Sequence, residues 1–314
     1  MPPLPPFELV LEIGFQAFLV PFAVAAAVAL LAARCPRCGG QAASGALALV
    51  AAFLAGNYFR QAVEFGFGPD RPFAPAEFLR MAWRALVTTG APEVPLLPAR
   101  YWLAWATLLG IVAELSVSHR CVKPVAAWVV RALATGVASR LLVPPDLREE
   151  LPWLWPALFA SILGSWWLIE NVNRDSRAGW LAPGLAGLSL AAATVLIHAH
   201  SARLTDAATI LAGGWSGVAV AAYWRRTHPG CTAPVAAIGL PALMLVGQQS
   251  TFSEVPTASF VLVALAPLAL LPLVFVKAER RQGWRFAIAG WLLLLVPAGL
   301  AVLLAMRAET LSFE

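Results

Sequence analysis

The sequence predicts an all-α integral membrane protein, a polytopic bundle of about ten transmembrane helices, and three observations predict it. First, 60% of the 314 residues are hydrophobic and only 12% are charged, with a mean hydropathy of +0.75. A soluble chain carries about 25% charged residues, so most of this exterior must face lipid. Second, the apolar residues form long unbroken runs, whereas a membrane barrel would show short alternating segments. Third, the basic residues fall in pairs between those runs. This scatter is how membrane proteins set their orientation. It leaves no basic patch, so nucleic acid is not expected as a partner despite a net charge of +5 and a pI of about 9.4.

Apolar runs of roughly 18–23 residues place spans at Ile13–Ala33, Ala43–Phe65, Ala99–Ser118, Pro124–Val143 and Leu151–Asn171. Five more follow at Trp180–His200, Thr205–Trp224, Ala233–Ser250, Pro256–Val276 and Trp284–Met306. The Met1–Pro6 start has no basic region and no small-residue cleavage site, so the first run reads as a retained helix. Prolines inside spans, such as Pro21, Pro183, Pro267 and Pro297, are tolerated where neighbouring helices satisfy the carbonyls they release.

Orientation follows from the short connections. Arg34 and Arg37, Arg120 and Lys123, Arg174 and Arg177, Arg225 and Arg226, and the group from Lys277 to Arg285 all fall on one side. That side is expected to be cytoplasmic, which puts both termini outside a bacterial plasma membrane. The one long connection, Gly66–Pro98, then lies outside. Within it Phe78, Leu79, Ala82, Trp83 and Leu86 recur at helical spacing over Ala76–Val87, beside Arg80 and Arg84. The pattern fits an interfacial helix, resting on the membrane surface or across the bundle.

Sequence landmarks recur. Cys121-Val-Lys-Pro124-Val-Ala-Ala precedes one span and Cys231-Thr-Ala-Pro234-Val-Ala-Ala another; Arg177-Ala-Gly-Trp180 and Arg281-Gln-Gly-Trp284 form a second pair, and Arg203 and Arg307 a third. They organise the chain as a two-helix hairpin (residues 1–66), the outer connection (67–98) and two four-helix repeats (99–203 and 204–314). An even number of helices per copy makes the repeat parallel.

A charge near the bilayer centre costs at least about 2.5 kcal/mol, so each one present has a partner or a task. Glu114 and Arg131 sit in consecutive spans at depths that let them pair. Asn57, Gln61 and Glu64 share one face near the outer end of the second span, where Arg60 and Glu64 are also spaced for an i,i+4 pair. Gln248 closes the eighth span, and Glu170 sits at a cytoplasmic end where polar residues need no explanation. Glu114, Arg131, Asn57, Gln61, Glu64 and Gln248 are therefore the candidate substrate-binding set, against ordinary structural pairing.

Cys35-Pro-Arg-Cys38-Gly has the spacing of a zinc knuckle, and Cys121 and Cys231 would complete a four-cysteine site. The alternative is four reduced thiols facing the cytosol; no other cofactor is implied. Gly214-Trp-Ser216-Gly217 holds a serine, but no His follows His228 to act as its base. Metalloprotease, phosphate-loop and dinucleotide motifs are absent. The sequence-level expectation is a carrier or permease moving a small solute. Its rivals are a membrane enzyme acting on a lipid-linked substrate and a non-catalytic subunit of a larger complex. Membrane lipid is the expected partner, with other membrane subunits in the last case.

Overall fold

The computed structural model describes residues 7–32, 34, 40–62, 74–88, 99–117, 122–174, 179–225, 232–251, 254–277 and 280–311, and within them the chain is helical without strands. Helix α1 (Phe7–Gly14) passes through a π turn at Phe15–Leu19 into α2 (Val20–Ala32). Next come α3 (Gly40–Arg60), α4 (Pro75–Val87), α5 (Ala99–Val117), α6 (Pro124–Leu142), the short α7 (Pro145–Glu150) and α8 (Leu154–Arg174). The chain continues with α9 (Leu181–His198), α10 (Ala202–Arg225), a second π turn at Val235–Gly239, and α11 (Leu240–Ser250). It ends with α12 (Thr257–Leu265), a 3₁₀ stretch at Ala266–Leu270, α13 (Leu271–Val274) and α14 (Trp284–Leu311).

Every expected apolar run falls on one of these rods. Among the described residues six are long and apolar enough to cross a membrane: Leu11–Ala32, Pro124–Leu142, Leu181–His198, Ala202–Arg225, Thr257–Val274 and Trp284–Ala308. This is the architecture of an α-helical membrane protein. The remaining rods are shorter or less apolar for visible reasons. Val235–Ser250 is a shorter apolar helix, α5 carries Glu114 among several aromatics, α8 carries Glu170, and α3 ends in Asn57 and Arg60.

Prolines shape the interruptions. Pro267 stands at the start of the 3₁₀ stretch and Pro272 at the start of α13. Each lacks an amide hydrogen and crowds the preceding turn, so a uniform α-helix cannot run through them. Pro297, by contrast, stays inside α14.

Several exposed aromatics stand near helix ends, among them Tyr58 and Phe59 on α3, Trp153 before α8, Tyr223 and Trp224 on α10, and Trp284 on α14, while Phe15 and Trp167 are exposed within their rods. Amphipathic rings settle where hydrocarbon meets headgroups. Between these ends, Leu292, Val296, Leu300 and Leu303 leave α14 with an exposed apolar stripe, as a lipid-facing helix requires.

Helices α2 and α3 lie together against α10, which also packs on α9, while α9 packs on α14. On the other flank α5 lies along α6, and α6 meets α8. Helix α12 packs along α14.

The contact of α2 with α10 explains the Gly214-Trp-Ser216-Gly217 stretch. A Cβ at Gly213 would strike the Phe18 carbonyl oxygen, and one at Gly217 the Phe22 carbonyl oxygen. Glycines four residues apart let two backbones approach inside a membrane. The Ser216 hydroxyl donates to the Ala212 carbonyl at 2.9 Å.

The amphipathic segment forms α4 as expected, packed onto α5 and α6. Phe78 meets the rings of Trp102 and Trp105, with centroids 5.8 and 4.8 Å away. At its C-terminal end, where helix carbonyls lack partners, Arg140 Nε donates to the Leu86 carbonyl and Arg148 Nη2 donates to that of Ala85 at 2.8 Å. Burial, together with the nearby Arg140, draws the Arg148 guanidinium down to about 10, against an opposing pull from Asp146. Leu79, Trp83 and Val87 remain exposed on another face of α4.

Candidate functional site

Glu114 stands one turn from the end of α5, Arg131 two turns into α6, and Glu170 one turn from the end of α8. These ends meet. Arg131 Nε donates to Glu114 Oε2 at 2.9 Å and Nη2 to Oε1 at 3.0 Å. The same guanidinium reaches Glu170, with Nη1 2.6 Å from Oε2 and Nη2 donating to Oε1 at 3.1 Å. Its Cζ lies 4.7 Å from the Trp128 ring centroid and 6.0 Å from that of Trp166. One planar cation is thus bracketed by two carboxylates and two indoles, an arrangement suited to arginine's fork and flat face. Glu114 and Arg131 are buried. The group ties three helices together, and its two carboxylates against one guanidinium leave a formal charge of −1.

Glu64, the expected local partner of Arg60, lies outside the described residues. Arg60 pairs across the bundle with Asp206, near the start of α10: Nε donates to Oδ2 at 3.0 Å and Nη2 lies 2.8 Å from the same oxygen. This ion pair joins α3 to α10.

Between α3 and α5 the packing loosens. An apolar cavity of about 60 Å³ lies between α3, α5, α10 and the rod formed by the second π turn and α11. Phe53 and Leu54 line it from α3, Leu103 and Thr107 from α5, Leu211 from α10 and Leu243 from α11. Thr107 keeps the wall apolar because its hydroxyl donates to the Leu103 carbonyl at 2.9 Å. Leu54 is 52% exposed, so the crevice opens sideways.

A second cavity, of about 120 Å³, is bounded by the ends of the same four rods. Ala62 follows α3, Arg100 begins α5, Ser201 and Arg203 stand at the start of α10, and Val246 and Ser250 belong to the end of α11. Arg100, Arg203, Ser201 and Ser250 are among its lining residues, and among the described residues the lining contains no carboxylate. Among the described residues the molecule therefore has an apolar crevice and, bounded by the ends of the same rods, a chamber lined in part by polar residues.

The candidate residues divide between two regions. Glu114 and Arg131 come together. Asn57, Gln61 and Gln248 sit instead at the far ends of α3 and α11, near the second cavity; along α5, Arg100 and Glu114 are separated by about 21 Å at the helical rise. Gln61 ends α3 in the left-handed region (φ 48°), its amide donating to the Asn57 carbonyl at 2.8 Å. Gln248 Nε2 donates to Thr257 Oγ1 at 3.2 Å. Glu64 and all four cysteines, Cys35, Cys38, Cys121 and Cys231, fall outside the described residues.

Glu170, Asp206, Arg100 and Arg203 were not in the candidate set. Asp206 carried a readable signal, a lone carboxylate at the start of a span. Glu170 is corrected from a surface residue to a member of the arginine cluster. Its place at a helix end concealed that role, since water is available there.

No protein-family model, curated protein or solved structure matches the chain.

Proposed function

We propose that the protein is a carrier of the plasma membrane in which all ten rods span, and that its cargo moves along the crevice between α3, α5, α10 and α11. One observation carries this reading: the second chamber and the apolar crevice are bounded by the same four rods. A seam supports it further. Helices α2, α3 and α10 pack closely with one another, whereas α3 and α5 barely meet. Rocking of one helix group against another around a fixed path is how repeat-built carriers expose a site alternately to the two sides. With the basic connections inside, the chamber opens outward, on the side of the 67–98 connection.

The arginine cluster at the other end serves as a clamp in this scheme, holding α5, α6 and α8 as one unit. The two proposed repeats, 99–203 and 204–314, place α5 in one copy and α10 and α11 in the other, so the crevice runs between copies.

Spin labels on Leu54→Cys and Leu108→Cys, on opposite walls, test the motion in a background without the native cysteines. A carrier gives two distance populations in lipid nanodiscs. A single narrow population overturns the proposal.

A further inference from the structure

We infer that α4 is a membrane-surface anchor. Held on the bundle by one side, it sinks a second apolar side, made of Leu79, Trp83 and Val87, into lipid at the headgroup boundary. This holds whether or not the crevice carries cargo.

Viewed down its axis at about 100° per residue, α4 divides into three sectors. Phe78, Met81 and Ala85 turn to the bundle, where Ala85 is buried and the other two pack against the core. Glu77, Arg80 and Arg84 form a narrow polar sector, and all three are exposed. Leu79, Trp83 and Val87 lie on the arc between, 65%, 66% and 50% exposed. A helix on a water-facing surface needs one apolar stripe and one polar face. Three sectors answer three surroundings: protein beside the helix, hydrocarbon beneath it and water above.

Position sets the depth. Phe78 lies against Trp102 and Trp105, which stand about 5 and 9 Å along α5 from its start at Ala99. Near the other end of α4, Arg140 in the last turn of α6 donates to the Leu86 carbonyl. Helix α4 therefore lies across the ends of two bundle helices, within one or two turns of them. Interfacial helices bury their apolar face about 5–10 Å deep, at the boundary of headgroups and acyl chains. Trp83 stands in the middle of the stripe, and indole is favoured at that boundary.

Continuity with the lipid-facing wall names the partner. On α6, a rod long and apolar enough to span, Val125, Val129 and Leu133 form a stripe of exposed residues. About two turns past Leu133, on the same face, stands Arg140, which holds α4. The stripe of α6 thus runs up to α4, and the exposed apolar side of α4 continues it. Hydrocarbon against one reaches the other. The anchor is apolar and needs no particular headgroup charge.

The test uses the full chain without its native cysteines, in nanodiscs of phosphatidylcholine, whose zwitterionic head leaves charge attraction aside. Spin labels are placed singly at Leu79→Cys, Trp83→Cys and Val87→Cys, with Arg80→Cys and Arg84→Cys as the polar-sector controls. Collisions with oxygen, which concentrates in lipid, are compared with those of a water-soluble nickel chelate. The oxygen-to-nickel ratio is expected to be at least about tenfold higher at the stripe than at the arginine positions. Nickel access at the stripe equal to that at Arg84→Cys places it in water, and low access to both reagents places it beneath another part of the chain. Either result overturns the inference. The unsubstituted protein gives a second measurement, with a phosphatidylcholine carrying a diazirine near the top of its acyl chain. Label is expected on Leu79, Trp83 or Val87, and its absence from residues 75–87 overturns the inference as well.

Discussion

Arg131 meets Glu114 through two parallel hydrogen bonds, Nε to Oε2 at 2.9 Å and Nη2 to Oε1 at 3.0 Å, between consecutive helices and away from solvent. Glu170 completes the arrangement from α8. Removing the cation leaves the buried Glu114 carboxylate without its partner, near the partly exposed carboxylate of Glu170.

Arg131→Met should therefore destabilise the folded protein by about 3–5 kcal/mol, the usual cost of breaking a buried pair from one side. Thermal unfolding in detergent measures it. Adding Glu114→Gln and Glu170→Gln to the same chain should recover most of the loss, because the uncompensated charges disappear with their partner. A triple variant no better than Arg131→Met would mean that the indole stacking, not the charge, holds these helices.

The Arg60–Asp206 pair predicts coupling between α3 and α10. Single Ala substitutions at either position should each destabilise, and the double variant should lose less than their sum. A coupling of about 0.5–3 kcal/mol is the range for residues in one ion pair. The exchanged pair, Arg60→Asp with Asp206→Arg, should recover part of it. Strict additivity in the unfolding free energies would show that the pair does not connect the helices.

The rods were legible because lipid demands long apolar runs, and that demand is written locally in the sequence. Glu114 and Arg131 were legible for a related reason, since charges inside such runs must be answered. Arg60 was not. A nearby Glu64 offered a local partner, while Asp206 is 146 residues away in sequence and becomes a neighbour only through the packing of α3 on α10. The crevice left no local signal at all. Leu54, Leu103 and Leu211 read as ordinary lipid-facing or core residues, and only the loose meeting of α3 with α5 makes them a lining.

The anchoring of α4 predicts a cooperative release. Arg140 and Arg148 hold adjacent carbonyls at its C-terminal end, and Phe78 lies against Trp102 and Trp105. Arg140→Ala with Arg148→Ala should raise amide hydrogen exchange throughout residues 75–87 by about tenfold or more, since each charge-assisted bond contributes roughly 1.5–3 kcal/mol. Exchange in α9, which lies away from these contacts, should be unchanged. Uniform loosening of both helices would mean that the arginines support the bundle generally and not α4.

The last prediction separates packing from chemistry at the Gly213–Gly217 stretch. Phe18 and Phe22 carbonyls lie where a side chain on Gly213 or Gly217 would have to go, and backbone cannot step aside as a flexible side chain does. Gly217→Leu should force α2 away from α10 and cost about 1–3 kcal/mol or more, as overpacking does. The same substitution at Gly299, where no atom lies within 4 Å of an added Cβ, should be nearly neutral and controls for the change of residue type. Ser216→Ala removes only a hydroxyl that donates to the Ala212 carbonyl of its own helix, a bond that adds little to a formed α-helix. It should leave stability unchanged. If Ser216→Ala abolished a measured activity while Gly217→Leu folded normally, the stretch would be a chemical site and the close backbone approach incidental to it.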